Sequence, residues 1–319
     1  MAFRIPNYQD VLQAQLRIRP YLSPSALREY PSLSKLLGCA VWVKHENHLP
    51  TGAFKVRGGI NLMSQLSQEE RKRGVITAST GNHGQSVAYA ARIFGVKAAI
   101  CVPNGANPAK VESMVGLGAK IIAHGHDFDE AREHCERQAI ENGFRYIHSG
   151  NESQLITGVA TATVEILEEQ PSIDVIFVPL GGGSGAAGAC IAAKGMRSKV
   201  EIIAVQAESA PAAYRSWKEH RLVEDQMATK AEGLATRTAF ELPQRILWEY
   251  LEKFQLVSED EIRQATRLMI EKTRTLVEAA GAASLAGAIK LRDDLAGKRV
   301  ALMCSGGNIS LGQLKDLLQ

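Results

Sequence analysis

Residues 41–59 of the chain are VWVKHENHLPTGAFKVRGG. The run VWVKHE at 41–46 is rich in β-branched and aromatic residues and predicts a strand. The segment TGAFKVRGG at 51–59 follows as a glycine-marked turn that leads into a helix. Because ligands of α/β proteins bind at the carboxyl ends of strands, we expect Lys55 in this turn to face a cleft.

The same pattern of a short apolar run, a glycine-rich turn and an amphipathic stretch recurs along the chain. Further strands are predicted at 75–79, 98–103, 120–125, 174–180, 200–208 and 299–305. Continuous apolar strands that alternate with helices predict an α/β fold with parallel-rich sheets covered by helices on both faces. Residues 68–148 carry three such units without interruption, so we expect a small α/β domain inserted into a large domain of residues 1–67 and 149–319.

The bulk composition excludes several classes of protein. Of the 319 residues, 45% are hydrophobic and 22% are charged, and the net charge of +3 gives no reason to expect binding to nucleic acid. The first residues lack the apolar core of a signal peptide, and no run approaches the roughly 18 apolar residues of a membrane span. The five cysteines form no CxxC pair, which is typical of reduced thiols, so we expect a cytoplasmic protein.

Four glycine-marked turns lie where predicted strands end and helices begin, at 51–59, 79–84, 181–185 and 304–308. Helix N-termini present free N–H groups at such places, and these groups bind anions. The four turns are therefore the expected positions of ligand-binding residues.

The turn at 181–185 allows three interpretations. Residues 183–188, GSGAAG, match GxGxxG after a strand, and the next strand ends at Glu208 about 20 residues later, as in a dinucleotide-binding site. A tight structural turn is the second interpretation. The third is a cradle of consecutive N–H groups for a single phosphate, which the small residues from Gly181 to Ser184 favour.

Lys55 allows two interpretations. It is either a surface cation at the start of a helix, where the helix dipole is mildly unfavourable, or a lysine that forms a Schiff base with an aldehyde. A Schiff-base lysine must lose its proton near neutral pH, which burial and the positive end of a helix both promote. The nearby phosphate-binding turn and the two further polar turns favour the second interpretation.

Four motifs carry a family resemblance. ENHLPTGAFKVRG at 46–58 resembles the pyridoxal-phosphate attachment segment of the serine/threonine dehydratase and serine racemase family. The resemblance continues in the same order through STGNHG at 79–84, PLGGGSGAAG at 179–188 and CSGGN at 304–308, and so covers nearly the whole chain. It implies the two-lobed fold type II, similar to the β subunit of tryptophan synthase, with an inserted small lobe.

The resemblance implies pyridoxal 5′-phosphate as cofactor, attached to Lys55. Phe54 is then expected beside the pyridine ring, Asn82 at the 3′-oxygen and Ser305 at the pyridine nitrogen. The residues expected to hold the phosphate are Gly181, Gly182, Gly183, Ser184 and Gly185, with serine at 184 where many relatives have glycine.

The loop of the second turn is expected to bind the substrate carboxylate. The residues implied for this role are Ser79, Thr80, Gly81, Asn82 and His83. An N-cap role for Ser79 or Thr80 at the following helix is compatible with it. By the same resemblance, Lys55 is the catalytic base at Cα, and Thr80 is the second catalytic candidate. Racemases of the family carry serine at the position of Thr80 as a second base, so its hydroxyl keeps racemisation open as an alternative.

Metal binding is not expected. Many eukaryotic relatives hold a divalent cation on an acidic pair, but this chain has Gln206 and Ala212 at the matching positions, and only Glu208 is acidic nearby. Hard cations require several oxygen ligands, so we predict no structural Mg²⁺ or Ca²⁺ there. The cluster of histidines and aspartates at 124–134 is better explained by surface residues, with Asp127 or Asp129 as an N-cap.

The resulting hypothesis is a dehydratase (ammonia-lyase) that performs β-elimination on L-threonine, L-serine or a bulkier analogue such as 3-phenylserine or hydroxyaspartate, giving a 2-oxo acid and ammonia. The alternatives are a serine racemase-type enzyme, a nucleotide-dependent oxidoreductase that uses 183–188, and a non-catalytic amino-acid sensor. The resemblance also implies a homodimer. Because the chain ends soon after CSGGN, we expect no regulatory domain and a catabolic role. Arg237, Thr238 and Phe240 are expected to border the pocket for the substrate side chain.

Overall fold

The computed structural model describes residues 4–319 and contains two β-sheets covered by helices. The strands are β1 (Leu27–Glu29), β2 (Ala40–His45), β3 (Val75–Ala78), β4 (Ala98–Val102), β5 (Lys120–Ala123), β6 (Arg145–Tyr146), β7 (Val175–Pro179), β8 (Glu201–Ala207), β9 (Lys253–Val257) and β10 (Arg299–Cys304). The helices are α1 (Tyr8–Ile18), α2 (Pro31–Leu37), α3 (Lys55–Met63), α4 (Gln68–Arg73), α5 (Asn82–Phe94), α6 (Pro108–Gly116), α7 (Phe128–Asn142), α8 (Ser153–Glu169), α9 (Ser184–Gly195), α10 (Ala212–Glu219), α11 (Glu241–Tyr250), α12 (Glu259–Thr273), α13 (Ala279–Lys290) and α14 (Leu311–Leu318). Short 3₁₀ helices lie at 46–48, 232–234 and 292–295.

The larger sheet has the strand order β1-β2-β10-β7-β8-β9, and only β1 runs antiparallel to its neighbour. The smaller sheet has the order β5-β4-β3-β6 and is parallel throughout. The predicted α/β class with parallel-rich sheets is confirmed. Each strand predicted from an apolar run is present, and its ends agree with the predicted ends to within two residues.

Helices cover the larger sheet on both faces. One face packs against α8, α9 and α11, and the other packs against α12 and α13. The central strand β7 is buried along its whole length, which explains why its sequence VIFVP is apolar without alternation. None of the helices within residues 4–319 has the length and apolarity needed to cross a bilayer.

Helix α3, which starts at Lys55, packs against both α5 and α8. Its glycines permit this close approach. A Cβ atom at Gly58 would lie 2.9 Å from the Leu155 carbonyl oxygen, and one at Gly59 would lie 2.7 Å from the Ser86 carbonyl oxygen. The pair of glycines in KVRGG is therefore required for packing. The four strands of the smaller sheet fall within 68–148, and the boundaries of the predicted domains stay a prediction.

A buried ion network lies beneath the start of α3. The Arg57 guanidinium is 1% exposed, and its Nε lies 2.6 Å from Oε2 of the fully buried Glu46. Its Nη1 lies 2.5 Å from Oε1 of Glu165 on α8, and Nζ of the buried Lys44 lies 2.6 Å from the other Glu165 oxygen. Burial raises the pKa of the Glu46 carboxyl, but the Arg57 charge and hydrogen bonds outweigh this and hold the pKa below its usual value.

Replacing Glu46 with glutamine should destabilise the fold strongly. The Glu46→Gln substitution keeps the shape but leaves one buried cation without its partner, which costs about 3–5 kcal/mol of the free energy of unfolding. The matched control is Glu271→Gln, because Glu271 pairs with Lys272 at an exposed position, where an ion pair contributes about 0–1 kcal/mol. Urea unfolding at pH 7 measures both. Equal losses in the two variants would contradict a special role for the buried network.

Candidate active site

The parallel pairing of β2 with β10 places Lys55 at the carboxyl edge of the larger sheet. The pairing runs from Ala40 opposite Arg299 to His45 opposite Cys304, so both strands end side by side. Beyond these ends, the Phe54 N–H donates to the Ser305 carbonyl oxygen at 3.0 Å. The two turns thus hold each other, and α3 begins at Lys55 with its amine directed to the glycine turn of α9.

The Lys55 amine is prepared for nucleophilic chemistry. Its Nζ donates to the Ser184 hydroxyl at 3.0 Å and lies 5.1 Å from the centroid of the Phe54 ring. Burial penalises the charged form and lowers the pKa of Lys55 to about 8. A larger fraction of this amine is therefore neutral near pH 7 than for an exposed lysine.

The turn at 181–185 forms an anion cradle. Gly183 has a φ of +88° and is the N-cap residue of α9, which points the positive end of the helix dipole at this turn. Within residues 4–319, the N–H groups of Gly181, Gly182 and Gly183 have no hydrogen-bond partner. Consecutive unpaired N–H groups at a helix N-terminus bind a single phosphate, which favours the third interpretation of this turn.

The glycines of the cradle are also required by packing. A Cβ atom at Gly182 would lie 2.5 Å from Cε2 of Phe240, and one at Gly183 would lie 2.9 Å from the Pro243 side chain. A Cβ atom at Gly185 would lie 3.3 Å from Cε2 of Phe54, so that ring lies beside the turn. The structure therefore brings Phe54, Lys55 and the whole predicted phosphate turn together.

The loop from Ser79 to His83 precedes α5. The Ser79 hydroxyl accepts the N–H groups of Gly81 at 3.2 Å and Gly84 at 2.9 Å. Helix α5 begins at Asn82, so its N-cap residue is Gly81 and the prediction of Ser79 or Thr80 at that position is wrong. The Ser79 hydroxyl still accepts an N–H group from the first turn of α5, that of Gly84, although Ser79 lies upstream of the N-cap residue. The Thr80 hydroxyl makes no hydrogen bond to any residue in the described range 4–319.

Asn82 joins a network that sequence reasoning missed in part. Its Nδ2 donates to Oε1 of Glu278 at 2.7 Å, and its Oδ1 accepts from Asn308 at 2.7 Å. Burial raises the pKa of the Glu278 carboxyl above its usual value. Asn308 belongs to the predicted CSGGN turn, but Glu278 lies outside all four motifs of the sequence. Only its place directly before the small-residue helix α13 gives a weak signal of a helix start.

A cavity of about 610 Å³ borders this network. Glu278 and Asn308 line it, together with Lys110 from α6 and residues of α12 and α14. Neither Lys55 nor the glycine turn lines this cavity. The chemistry of the candidate site is therefore placed by Lys55 and the cradle and not by this cavity.

Two neutral histidines lie near the loop. His83 Nε2 is 2.9 Å from the Thr77 hydroxyl, and burial, with a further contribution from Lys55, lowers the pKa of His83 to about 3. Burial likewise lowers the pKa of His148 to about 4. Both imidazoles are therefore uncharged at neutral pH and can offer only hydrogen bonds to a substrate.

Comparison with known proteins places the chain. The sequence model of the family described as "Pyridoxal-phosphate dependent enzyme" matches residues 18–306. The chain is 36% identical to an L-threonine ammonia-lyase of Thermotoga maritima, over 97% of this chain and 77% of that one. It is 34% identical to an L-threo-3-hydroxyaspartate ammonia-lyase of Saccharomyces cerevisiae, over 98% of this chain and 97% of that one. The crystal structure of serine racemase from Dictyostelium discoideum superposes with a TM-score of 0.91 at 31% identity, covering 97% of this chain and all of that chain.

At the positions where many eukaryotic relatives hold a divalent cation, this chain has the amide of Gln206 and the methyl group of Ala212. The Gln206 side-chain oxygen accepts the Tyr214 N–H at 3.0 Å, and its Nε2 has no partner within residues 4–319. Ala212 is the first residue of α10. The Glu208 carboxylate lies 3.0 Å from the Lys290 ammonium. An amide nitrogen in place of a carboxylate oxygen repels a cation, so the absence of a divalent metal stays our prediction.

Chelation of divalent cations should leave the melting temperature unchanged. The physical reason is that Gln206 and Ala212 offer no anionic oxygen to Mg²⁺ or Ca²⁺. Thermal unfolding is measured after dialysis against EDTA and again after addition of Mg²⁺. A melting temperature that falls with EDTA and recovers with Mg²⁺ would show that this loop, or another part of the chain, holds a structural cation.

Proposed function

Because the chain belongs to the family of pyridoxal-phosphate dependent enzymes, we propose that it is an ammonia-lyase that removes water and then ammonia from a β-hydroxy-α-amino acid such as L-threonine or L-serine. The observation that carries the proposal is the Lys55 amine, which has a lowered pKa and a hydrogen bond to Ser184 in the anion cradle. An aldehyde that bears a phosphate matches both groups at once. The products are a 2-oxo acid and ammonia.

The residues fit pyridoxal 5′-phosphate. The unpaired N–H groups from Gly181 to Gly183, with Ser184 and Gly185, would hold its phosphate, and Lys55 would hold its aldehyde carbon. Phe54 would cover the ring, while Asn82 and Ser305 would contact its polar atoms. When bound, this group supplies an electron sink for the charge that develops at Cα of an amino acid.

The chain's own residues would move one proton and orient one carboxylate. The neutral Lys55 amine takes the proton from Cα of the substrate, which its lowered pKa makes feasible near pH 7. The loop at 79–83 would hold the substrate carboxylate with the N–H groups at the start of α5. When the proton taken from Cα passes to the β-hydroxyl, the hydroxyl leaves as water and an enamine forms, which a second water hydrolyses to the 2-oxo acid and ammonia.

The runner-up is amino-acid racemisation, which the name of a Dictyostelium relative at 33% identity suggests. Racemisation needs a second proton donor on the face opposite Lys55, and Thr80 is our candidate. The GxGxxG match at 183–188 is accounted for by the phosphate cradle, so the oxidoreductase hypothesis has no remaining support. We also propose that the protein acts as a homodimer, as the family resemblance implies.

Replacing Lys55 with alanine should abolish release of 2-oxo acid from L-threonine and L-serine. No other amine hydrogen-bonds to the Ser184 hydroxyl in the described part of the chain, residues 4–319. The matched control is Lys194→Ala, which changes a lysine in the last turn of α9, the helix whose first turn forms the cradle. The control should keep turnover within about threefold, because it alters only a helix-end charge.

Substantial residual turnover in Lys55→Ala would contradict the proposal. If Lys55→Ala keeps more than about one hundredth of the wild-type rate, general base catalysis by Lys55 is excluded, because loss of a base costs about 10²–10⁴-fold. Circular dichroism of the variant must match that of the wild type, so that a loss of turnover reports the amine and not the fold.

Thr80 should matter for stereochemistry more than for elimination. Elimination needs one base on one face of the ring, so Thr80→Ala should keep much of the ammonia release and lose any formation of D-serine. Thr80→Ser should raise D-serine formation, since the smaller hydroxyl turns more freely toward Cα. A chiral assay on the three proteins measures this. If Thr80→Ala stops ammonia release as fully as Lys55→Ala does, Thr80 takes part in elimination and the one-base scheme is wrong.

A further inference from the structure

Phe240 lies against the anion cradle and against a second loop. A Cβ atom at Gly182 would lie 2.5 Å from the Phe240 ring. A Cβ atom at Gly150 would also clash with this ring. The two glycines belong to different segments, one to the cradle and one to the loop before α8. The ring is thus held between two backbone segments that lack side chains, and it borders the cradle.

One hydrogen bond and one aromatic contact hold the segment around Phe240. The side-chain oxygen of Asn151 accepts the Leu242 N–H at 3.1 Å, which ties the loop before α8 to the start of α11. The ring also meets the His148 imidazole edge to face, with centroids 4.9 Å apart and an interplanar angle of 87°. Phe240 and His148 therefore form one aromatic wall.

This wall is uncharged. His148 Nδ1 accepts the N–H groups of both Gly150 and Asn151 at 3.0 Å, so its proton lies on Nε2 and the ring is neutral. The Arg132 guanidinium, whose charge acts on His148, lies 3.5 Å from both Asp129 and Glu136. Arg237 lies 3.6 Å from Asp129, so both arginines have acidic partners. A negatively charged substrate group placed against this wall would lose its water without gaining a free cation.

We infer that Phe240 determines substrate specificity and restricts the site to β-hydroxy amino acids whose further substituent on Cβ is small and uncharged, such as hydrogen or methyl. The inference rests on the proposed function, since it names the substrates of the same site. It separates this chain from the relative named L-threo-3-hydroxyaspartate ammonia-lyase, since hydroxyaspartate carries a second carboxylate.

The direct test is binding of amino acids that lack the β-hydroxyl and therefore cannot lose water. L-2-aminobutyrate, L-aspartate and L-phenylalanine are titrated into the cofactor-loaded protein, and dissociation constants are taken from the change in cofactor absorbance. The wild type should bind L-2-aminobutyrate at least about tenfold more tightly than either of the others, the discrimination typical of a close-fitting apolar wall. Phe240→Ala should raise the affinity for L-phenylalanine relative to L-2-aminobutyrate by about tenfold.

Two further variants keep the test decisive. The control is Phe254→Ala. Phe254 lies in β9, and its buried ring packs on Tyr214 and Trp217 of α10 and not on the cradle, so this variant should leave the affinity ratio unchanged. If Phe240→Ala does not fold, Phe240→Leu should move the ratio in the same direction by a smaller factor. The inference is overturned if neither Phe240 variant shifts the ratio, if Phe254→Ala shifts it equally, or if the wild type binds L-aspartate as tightly as L-2-aminobutyrate.

A turnover assay separates this inference from the proposed function. L-serine, L-threonine and L-threo-3-hydroxyaspartate are each tested for release of 2-oxo acid. Turnover of the first two and at least about tenfold lower kcat/KM for the third supports both statements. Equal kcat/KM for hydroxyaspartate overturns the specificity of the wall alone. No 2-oxo acid from any of the three overturns the proposed function, while the binding ratios still decide the role of Phe240.

Discussion

The ion network around Arg57 is the interaction on which the candidate site depends. One guanidinium, in the first turn of α3, joins Glu46, directly after β2, to Glu165 near the C-terminal end of α8. Two residues earlier in that turn is Lys55. Because charges in a buried site have no water to replace a lost partner, the network holds the strand end and the two helices in one arrangement. The direction of the Lys55 amine follows from that arrangement.

The chemistry then arises from two features that act at the same place, the buried Lys55 amine and the N-terminus of α9. Burial disfavours the protonated form of Lys55, and the positive end of α9, with its unpaired N–H groups, attracts an anion to the same place. If the cradle held the phosphate of pyridoxal 5′-phosphate, the aldehyde carbon of the cofactor would lie within reach of a neutral amine. This is the requirement for covalent attachment. The Phe54 ring lies at Gly185 and the Phe240 ring lies at Gly182, so two aromatic side chains border the cradle. We infer that the same packing that would hold a cofactor also limits the substrate.

The sequence was informative where a signal is local. Strands such as β7 are buried on both faces, and their unbroken apolar runs identified them. The three strands that were not predicted, β1, β6 and β9, are all edge strands and alternate or lie half exposed, so they carry no such run. Glu278 was missed for a related reason: its partner Asn82 lies 196 residues away in the sequence, and only folding brings the two together.

Reduction with borohydride, followed by peptide mapping, tests the central claim most directly. Borohydride converts the bond between a lysine and pyridoxal phosphate into a stable one, so the modified residue survives proteolysis and is identified by mass spectrometry. The account predicts that the pyridoxyl group is found on the peptide that contains GAFKVR, at Lys55. The group on any other lysine, or its absence from a protein that has been incubated with pyridoxal phosphate and reduced, would contradict the assignment of Lys55 as the residue on which the function depends.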